Sequence, residues 1–271
     1  MIRSAIRGVL RRAGYDLRRI PRTPRAYPYV SQISLTGVDF SFWVKDAQAE
    51  QWYSPETHQK LVENQLLADL VKPGDRVLDL GCHQGFYVVF LAKLVGPAGF
   101  VLGVDINPEN VMITQAQIVL NGLSKNADVL HRAAAATMDA SIKYSNGLDN
   151  AMVVVSQGES APAAQPITVD HLCSVYGDFD VLMIDVEGFE EQVLKGADVL
   201  LQRAKPRLAV EIHSDFLPGY GASVESLAAA GHFTEYTGSM VIRDADRTKS
   251  RPYTQETVPR KGVANVFLTP R

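Results

Sequence analysis

The run Arg76-Val-Leu-Asp-Leu-Gly-Cys-His-Gln-Gly-Phe-Tyr-Val-Val-Phe-Leu91 constrains the fold more than any other stretch. Val77, Leu78 and Leu80 form a short apolar run that suits a buried strand. Phe86, Val89, Phe90 and Leu94 recur at helical spacing. Between them Gly81 and Gly85 mark a loop where the backbone turns sharply and comes close to a ligand. Strand, glycine loop and helix open a nucleotide-binding α/β unit. The loop reads G-x-x-x-G rather than G-x-G-x-x-G, so a pyrophosphate-bearing dinucleotide is not the first expectation. Asp79, just before the turn, would repel phosphates and suits a cationic ligand such as S-adenosylmethionine (SAM).

Downstream, strands alternate with helical segments. Phe100–Val104 and Phe179–Ile184 read as buried strands, Ala127–Leu130 and Arg207–Ile212 as further ones. Asn107-Pro108-Glu109 opens a helix that stops at Asn121-Gly122. A helix from about Gly188 is interrupted at Gly196; Ser223–Ala230 is a short helix, and Phe233–Tyr236 and Val263–Leu268 are closing strands. The pattern implies an α/β, Rossmann-like sheet, mostly parallel, with helices on both faces. Residues 133–166 read as an insertion near the site, with Ala151–Val155 an extra strand.

Ahead of this lies an extension, 1–57, distinct from a main domain at 58–271. It contains a basic helix at Met1–Leu17, a linker at Pro21, Pro24 and Pro28, and a hairpin over Tyr29–Val44 turning at Gly37–Asp39. Ser54-Pro55 starts a helix running to Lys72. The net charge of −3 divides into +7 over residues 1–26 and −10 over the rest. The arm suits an anionic membrane surface or docking on an acidic body, its own or a partner copy's. Nucleic acid is not expected, because the body is acidic. Two cysteines give no disulfide framework, no run suits a spanning helix, and charges interrupt the N-terminus where a signal peptide would be apolar. A cytoplasmic protein, peripheral to a membrane where the arm touches one, is the expectation.

In such sheets ligands bind at the carboxyl ends of strands. Acids stand at several of those ends: Asp79, Asp105, Asp185 with Glu187, and Glu211 with His213. Asp105, 20 residues past Gly85, is placed to accept hydrogen bonds from ribose hydroxyls. Cys82 reads as a small packing residue and His83 as a loop contact. A hydroxyl acting as a nucleophile at these strand ends would need a base or a metal. His213 would remove the proton with Glu211 or Glu187 orienting it, or Asp185, Glu211 and His213 would bind Mg²⁺ or Mn²⁺.

Val77–Tyr87 followed by Gly103-Val-Asp-Ile-Asn-Pro-Glu-Asn110 resembles the first motifs of class I SAM-dependent methyltransferases. Ile167-Thr-Val-Asp170, Ile184-Asp-Val-Glu-Gly-Phe-Glu190 with Val193-Leu-Lys-Gly-Ala197, and Glu211-Ile-His213 resemble the FkbM family of O-methyltransferases. The resemblance covers about residues 60–215. It implies SAM contacts from Asp79, Gly81, Cys82, His83, Gly85, Asp105, Ile106 and Asp185. The acceptor it implies is a hydroxyl of a sugar, glycolipid or natural product. Cys82-His83 departs from the family's usual Ala-Asn pair. Two other readings remain: a nicotinamide-dependent oxidoreductase, weakened by the absent dinucleotide fingerprint, and a non-catalytic SAM-binding protein. An oligomer is compatible with the sequence.

Overall fold

The computed structural model describes residues 26–271 except 59–60, 147–150, 154–160 and 244–246. The basic helix expected at Met1–Leu17 lies outside the described residues. The chain opens with a hairpin, β1 (Tyr29–Leu35) and β2 (Val38–Val44). Its turn sits one residue earlier than the sequence implies. Thr36 and Gly37 both have positive φ, 49° and 83°, as a two-residue turn that matches strand twist requires. Ile33, Leu35, Phe40, Phe42 and Val44 point inward.

Helix α1 (Ala47–Tyr53) follows, capped by Asp46, whose carboxylate accepts from Ala49 N at 2.8 Å. The sequence reading missed it; Ser54 caps its C-terminus and, as expected, also precedes a helix that starts at Pro55. The single long helix expected to Lys72 is a one-turn helix, Pro55–His58, and a separate α2 (Val62–Leu70). Buried Asn64 stabilises the break by donating to the His58 carbonyl at 2.8 Å.

The central unit runs β3 (Arg76–Leu80), α3 (Phe86–Val95), β4 (Phe100–Asp105), α4 (Pro108–Leu120) and β5 (Ala127–His131). Residues 133–167 add short strands β6 (Ala133–Ala134), β7 (Ile142–Asn146), β8 (Ala151–Val153), β9 (Ala163–Ala164) and β10 (Pro166–Ile167). Helix α5 (Val169–Tyr176), unforeseen in the sequence, is capped by Thr168, which accepts from His171 N. Then come β11 (Val181–Ile184), α6 (Glu190–Lys195), α7 (Asp198–Arg203), β12 (Arg207–His213) and α8 (Val224–Ala230). The chain ends with β13 (Tyr236–Ile242), β14 (Arg251–Pro252) and β15 (Val263–Pro270). Phe233–Glu235, expected to start a strand, is a 3₁₀ turn, and β13 begins after it.

The main sheet has the order β14-β13-β15-β12-β11-β3-β4-β5. Strands β5, β4, β3, β11 and β12 are parallel; β13, β14 and β15 are antiparallel. Strand order reverses beside β3, and there the strand ends part to leave a crevice. Period-2 alternation splits each strand between two cores. Leu78, Leu80, Leu102, Leu182 and Ile184 face α5–α8, while Val77, Val101 and Val181 face α2, α3 and the hairpin. The hairpin therefore shares a core with α3: Phe40 and Phe42 meet Phe86 edge-on at 5.3 and 5.4 Å.

Candidate functional site

A cavity of about 510 Å³ opens over the carboxyl ends of β3, β4, β11 and β12. Gly81 (φ 86°) lets the loop pass beneath β11; a Cβ there would lie 1.8 Å from the Asp185 carbonyl oxygen. Asp79 is 1% exposed and borders the cavity, and its Oδ2 has no hydrogen-bond partner. Burial, then repulsion by Asp105, raises its pKa to about 7. An orphaned buried carboxylate oxygen fits a cationic group, such as the ammonium of SAM. Asp105 also borders the cavity, and its oxygens hold the loop to α4. Oδ2 accepts from His83 N at 2.8 Å, and Oδ1 accepts from Asn107 N at 2.8 Å and Asn110 Nδ2 at 3.1 Å. Burial lifts it to about 6 against those bonds. Ile106 and Cys82 line the same end. The Cys82 thiol packs against Gly103, and burial pushes it well above the usual thiol range.

The other end gathers the acids expected from β11 and β12. His213 is 3% exposed, and its Nδ1 meets Glu190 Oε1 at 2.8 Å. Its Nε2 faces Glu187 at 3.3 Å, Glu211 at 3.4 Å and Asp185 at 3.8 Å. Burial opposes charge on the ring, but Glu190, Glu211 and Asp185 outweigh it and raise His213 to about 11. So placed, the ring is a proton donor to its carboxylates; the expected role as base meets four acids that hold the proton on it. Glu190, which enters the sequence reading only as the last residue of the family-like run, is fully buried and orients this ring. Its signal was its place in the D-V-E-G-F-E run. Glu187 borders the cavity with φ 53°, a left-handed backbone rare outside glycine. Burial raises its carboxyl, with Glu211 and Glu190 adding and His213 opposing. Glu211 is lowered by its bonds to His213 and by Arg243, although burial works against this. Asp185, Glu211 and His213 each offer a ligand atom, all within 4.8 Å of one another. Gly85 and His213 do not line the cavity; the other expected site residues border it.

A third wall was not legible in the sequence: Trp52 and Tyr53 of α1, His58, Tyr87, and the cations Arg243 and Arg247. Arg247 pairs with Glu63 at 2.7 Å.

A family model described as the Methyltransferase FkbM domain matches residues 79–232, more than half of the chain. The chain belongs to the FkbM family of SAM-dependent methyltransferases. Ribosomal RNA large subunit methyltransferase E of Syntrophobacter fumaroxidans is 35% identical over 88 residues, 30% of this chain and 45% of that protein. Ribosomal protein L11 methyltransferase of Caldanaerobacter subterraneus is 41% identical over 59 residues, 22% of this chain and 18% of that one. The chain thus spans less than half the length of these relatives. Among solved structures, methyltransferase FkbM from Methylobacillus flagellatus aligns with TM-score 0.43 and 15% identity, over 73% of this chain and 48% of that one. Aeropyrum pernix fibrillarin with natively bound SAM aligns at 0.48 and 15%, over 91% and 85%.

These names correct one expectation. Nucleic acid was excluded on the acidity of the body, yet several relatives of this FkbM-family chain are named ribosomal RNA methyltransferases. Net charge is a sum over the whole surface and does not describe one opening: Arg132, Arg243 and Arg247 all border the cavity. Among the described residues no helix is long and apolar enough to cross a membrane.

Proposed function

We propose that this chain is an O-methyltransferase that binds SAM at the Asp79–Asp105 end of the cavity. It transfers the methyl group to a hydroxyl held against Asp185, Glu187 and Glu211. The observation that carries this reading is the orphaned, buried Asp79 oxygen opening into the same cavity as the acid–histidine cluster. A sulfonium carries its own activation, so the chain mainly aligns donor and acceptor. The hydroxyl must lose its proton, and Glu187 is placed to take it: it borders the cavity, burial raises its carboxyl, and His213 lies 3.3 Å away to steady the charge on its neighbours.

A second route is favoured by the donor atoms of Asp185, Glu211 and His213. Glu190 holds Nδ1, leaving Nε2 for the far side, an arrangement common where imidazole binds a metal. These three residues would hold Mg²⁺ or Mn²⁺, which lowers the pKa of a bound hydroxyl. Loss of turnover with EDTA, regained with Mg²⁺, would support this route; turnover indifferent to EDTA would leave Glu187 as the base.

Two acceptor classes suit a hydroxyl site: a sugar, glycolipid or natural product, and the ribose of an RNA. The relatives' names support the second and the family resemblance the first. Radiolabelled methyl transfer from SAM to total RNA, glycans and hydroxylated small molecules separates them. The central reading is tested by titration with S-adenosylhomocysteine (SAH). Wild type should bind, and Asp105→Ala should bind about tenfold more weakly or worse. Unchanged affinity in Asp105→Ala would remove SAM from this end of the cavity.

A further inference from the structure

His83 is the member of the glycine loop that the proposed reaction leaves without a task. Its φ is 47°, a conformation that a histidine keeps only when its surroundings over-determine it. Its N–H donates to Asp105 and its carbonyl accepts from Thr114 Oγ1 at 2.9 Å. The ring centroid lies 5.1 Å from that of Trp52 and 5.8 Å from that of Tyr53, and the Tyr53 hydroxyl bonds to Nδ1. Tyr53 is itself fixed. It is 7% exposed, nearly parallel to Phe86 at 5.2 Å, and 4.9 Å from Phe42. Both aromatic residues belong to α1, which precedes the family-matched residues.

The bond at one ring nitrogen decides the role of the other. Burial keeps the Tyr53 phenol protonated, well above its ordinary pKa, and holds His83 neutral at about 4. The phenol therefore donates to Nδ1, and the ring proton stays on Nε2. Among the described residues no protein group meets Nε2, and His83 borders the cavity beside Asp105.

We propose that Tyr53 is a positioning residue that presents His83 Nε2–H to the methionine carboxylate of SAM, making α1 a working part of the cofactor site. The carboxylate is the charged acceptor of the cofactor and gains most from a fixed donor. The ribose hydroxyls, which are donors, are left to the Asp105 carboxylate. This inference rests on SAM occupying the cavity as proposed above.

Tyr53→Phe keeps the stack on Phe86 and removes only the hydroxyl. By calorimetric titration it should bind SAH about five- to tenfold more weakly than wild type, with a near-unchanged melting temperature. His83→Phe should lose at least as much, and Tyr53→Phe should cost nothing further in the His83→Phe background. Adenosine, which lacks the carboxylate, should bind all four proteins alike. In wild type, ¹⁵N spectra should show His83 Nε2 protonated and Nδ1 bare, a readout that needs no variant to fold. SAH affinity unchanged in Tyr53→Phe, an equal loss in the His83→Phe background, the opposite tautomer, or a matching loss for adenosine would each overturn the proposal. Intact SAH binding by Asp105→Ala would instead sink the underlying cavity assignment, leaving the Tyr53 result separately readable.

Discussion

Gly81 tolerates no side chain, for two reasons that act together. Its φ of 86° strains any L-residue, and an added Cβ would lie 1.8 Å from the Asp185 carbonyl oxygen. Gly81→Ala should cost about 2–4 kcal/mol, read by urea unfolding, with SAH binding lost alongside. Asp79 governs a pH effect. Its carboxyl titrates near 3.8 when unfolded and near 7 in the folded chain, so between these values the folded state keeps a proton the unfolded state lacks. The stability tied to that proton is full below 3.8 and is lost as pH climbs through 7. Asp79→Asn, which cannot ionise, should therefore gain melting temperature relative to wild type from pH 5 to pH 8. A constant difference across that range would show that Asp79 does not titrate in it. SAH affinity of wild type should rise over the same range, as the ionised carboxylate attracts the ammonium, and that of Asp79→Asn should stay flat.

At the scale of elements, the exposed edge of the hairpin is covered in an unusual way. The buried Gln117 side chain of α4 accepts from Trp43 N and donates to Trp43 O, both at 2.9 Å. Asn121 does the same for Ser41, at 2.9 and 2.8 Å. Two amides thus stand in for a third strand and close the edge of β2. Gln117→Ala should cost about 2–4 kcal/mol because it leaves two backbone groups unmet, and hydrogen exchange at the Trp43 amide should accelerate. None of this was legible in α4, where Asn121 reads only as a stop signal. The Thr168-Val-Asp170 run shows a similar limit. It read as a family motif, whereas Thr168 caps α5 and Asp170 accepts from Val199 N and Leu200 N at the start of α7. The Asn107 cap, with its partner two residues on, was readable; the Asp170 contacts, with partners 29 and 30 residues on, were not.

For the whole molecule, the hairpin and α1 are bound into the sheet domain through Phe40, Phe42, Val44 and Tyr53 against Phe86 and Phe90. A chain beginning at Val62 would leave that face of α3 open. It should lose cooperative thermal unfolding, observed by calorimetry, despite retaining every family-matched residue. By itself the sequence determined the alternating strands and helices, the glycine loop, and the acids waiting at strand ends, since each is a signal within a few residues. Only the tertiary structure decided which of those acids meet. Strand order places β11 between β3 and β12, so Asp79, Asp185 and the Glu211–His213 pair converge from distant stretches. It also set Glu190 on His213 and Tyr53 on His83. Those contacts depend on how faces pack after the sheet forms, and no local period encodes them.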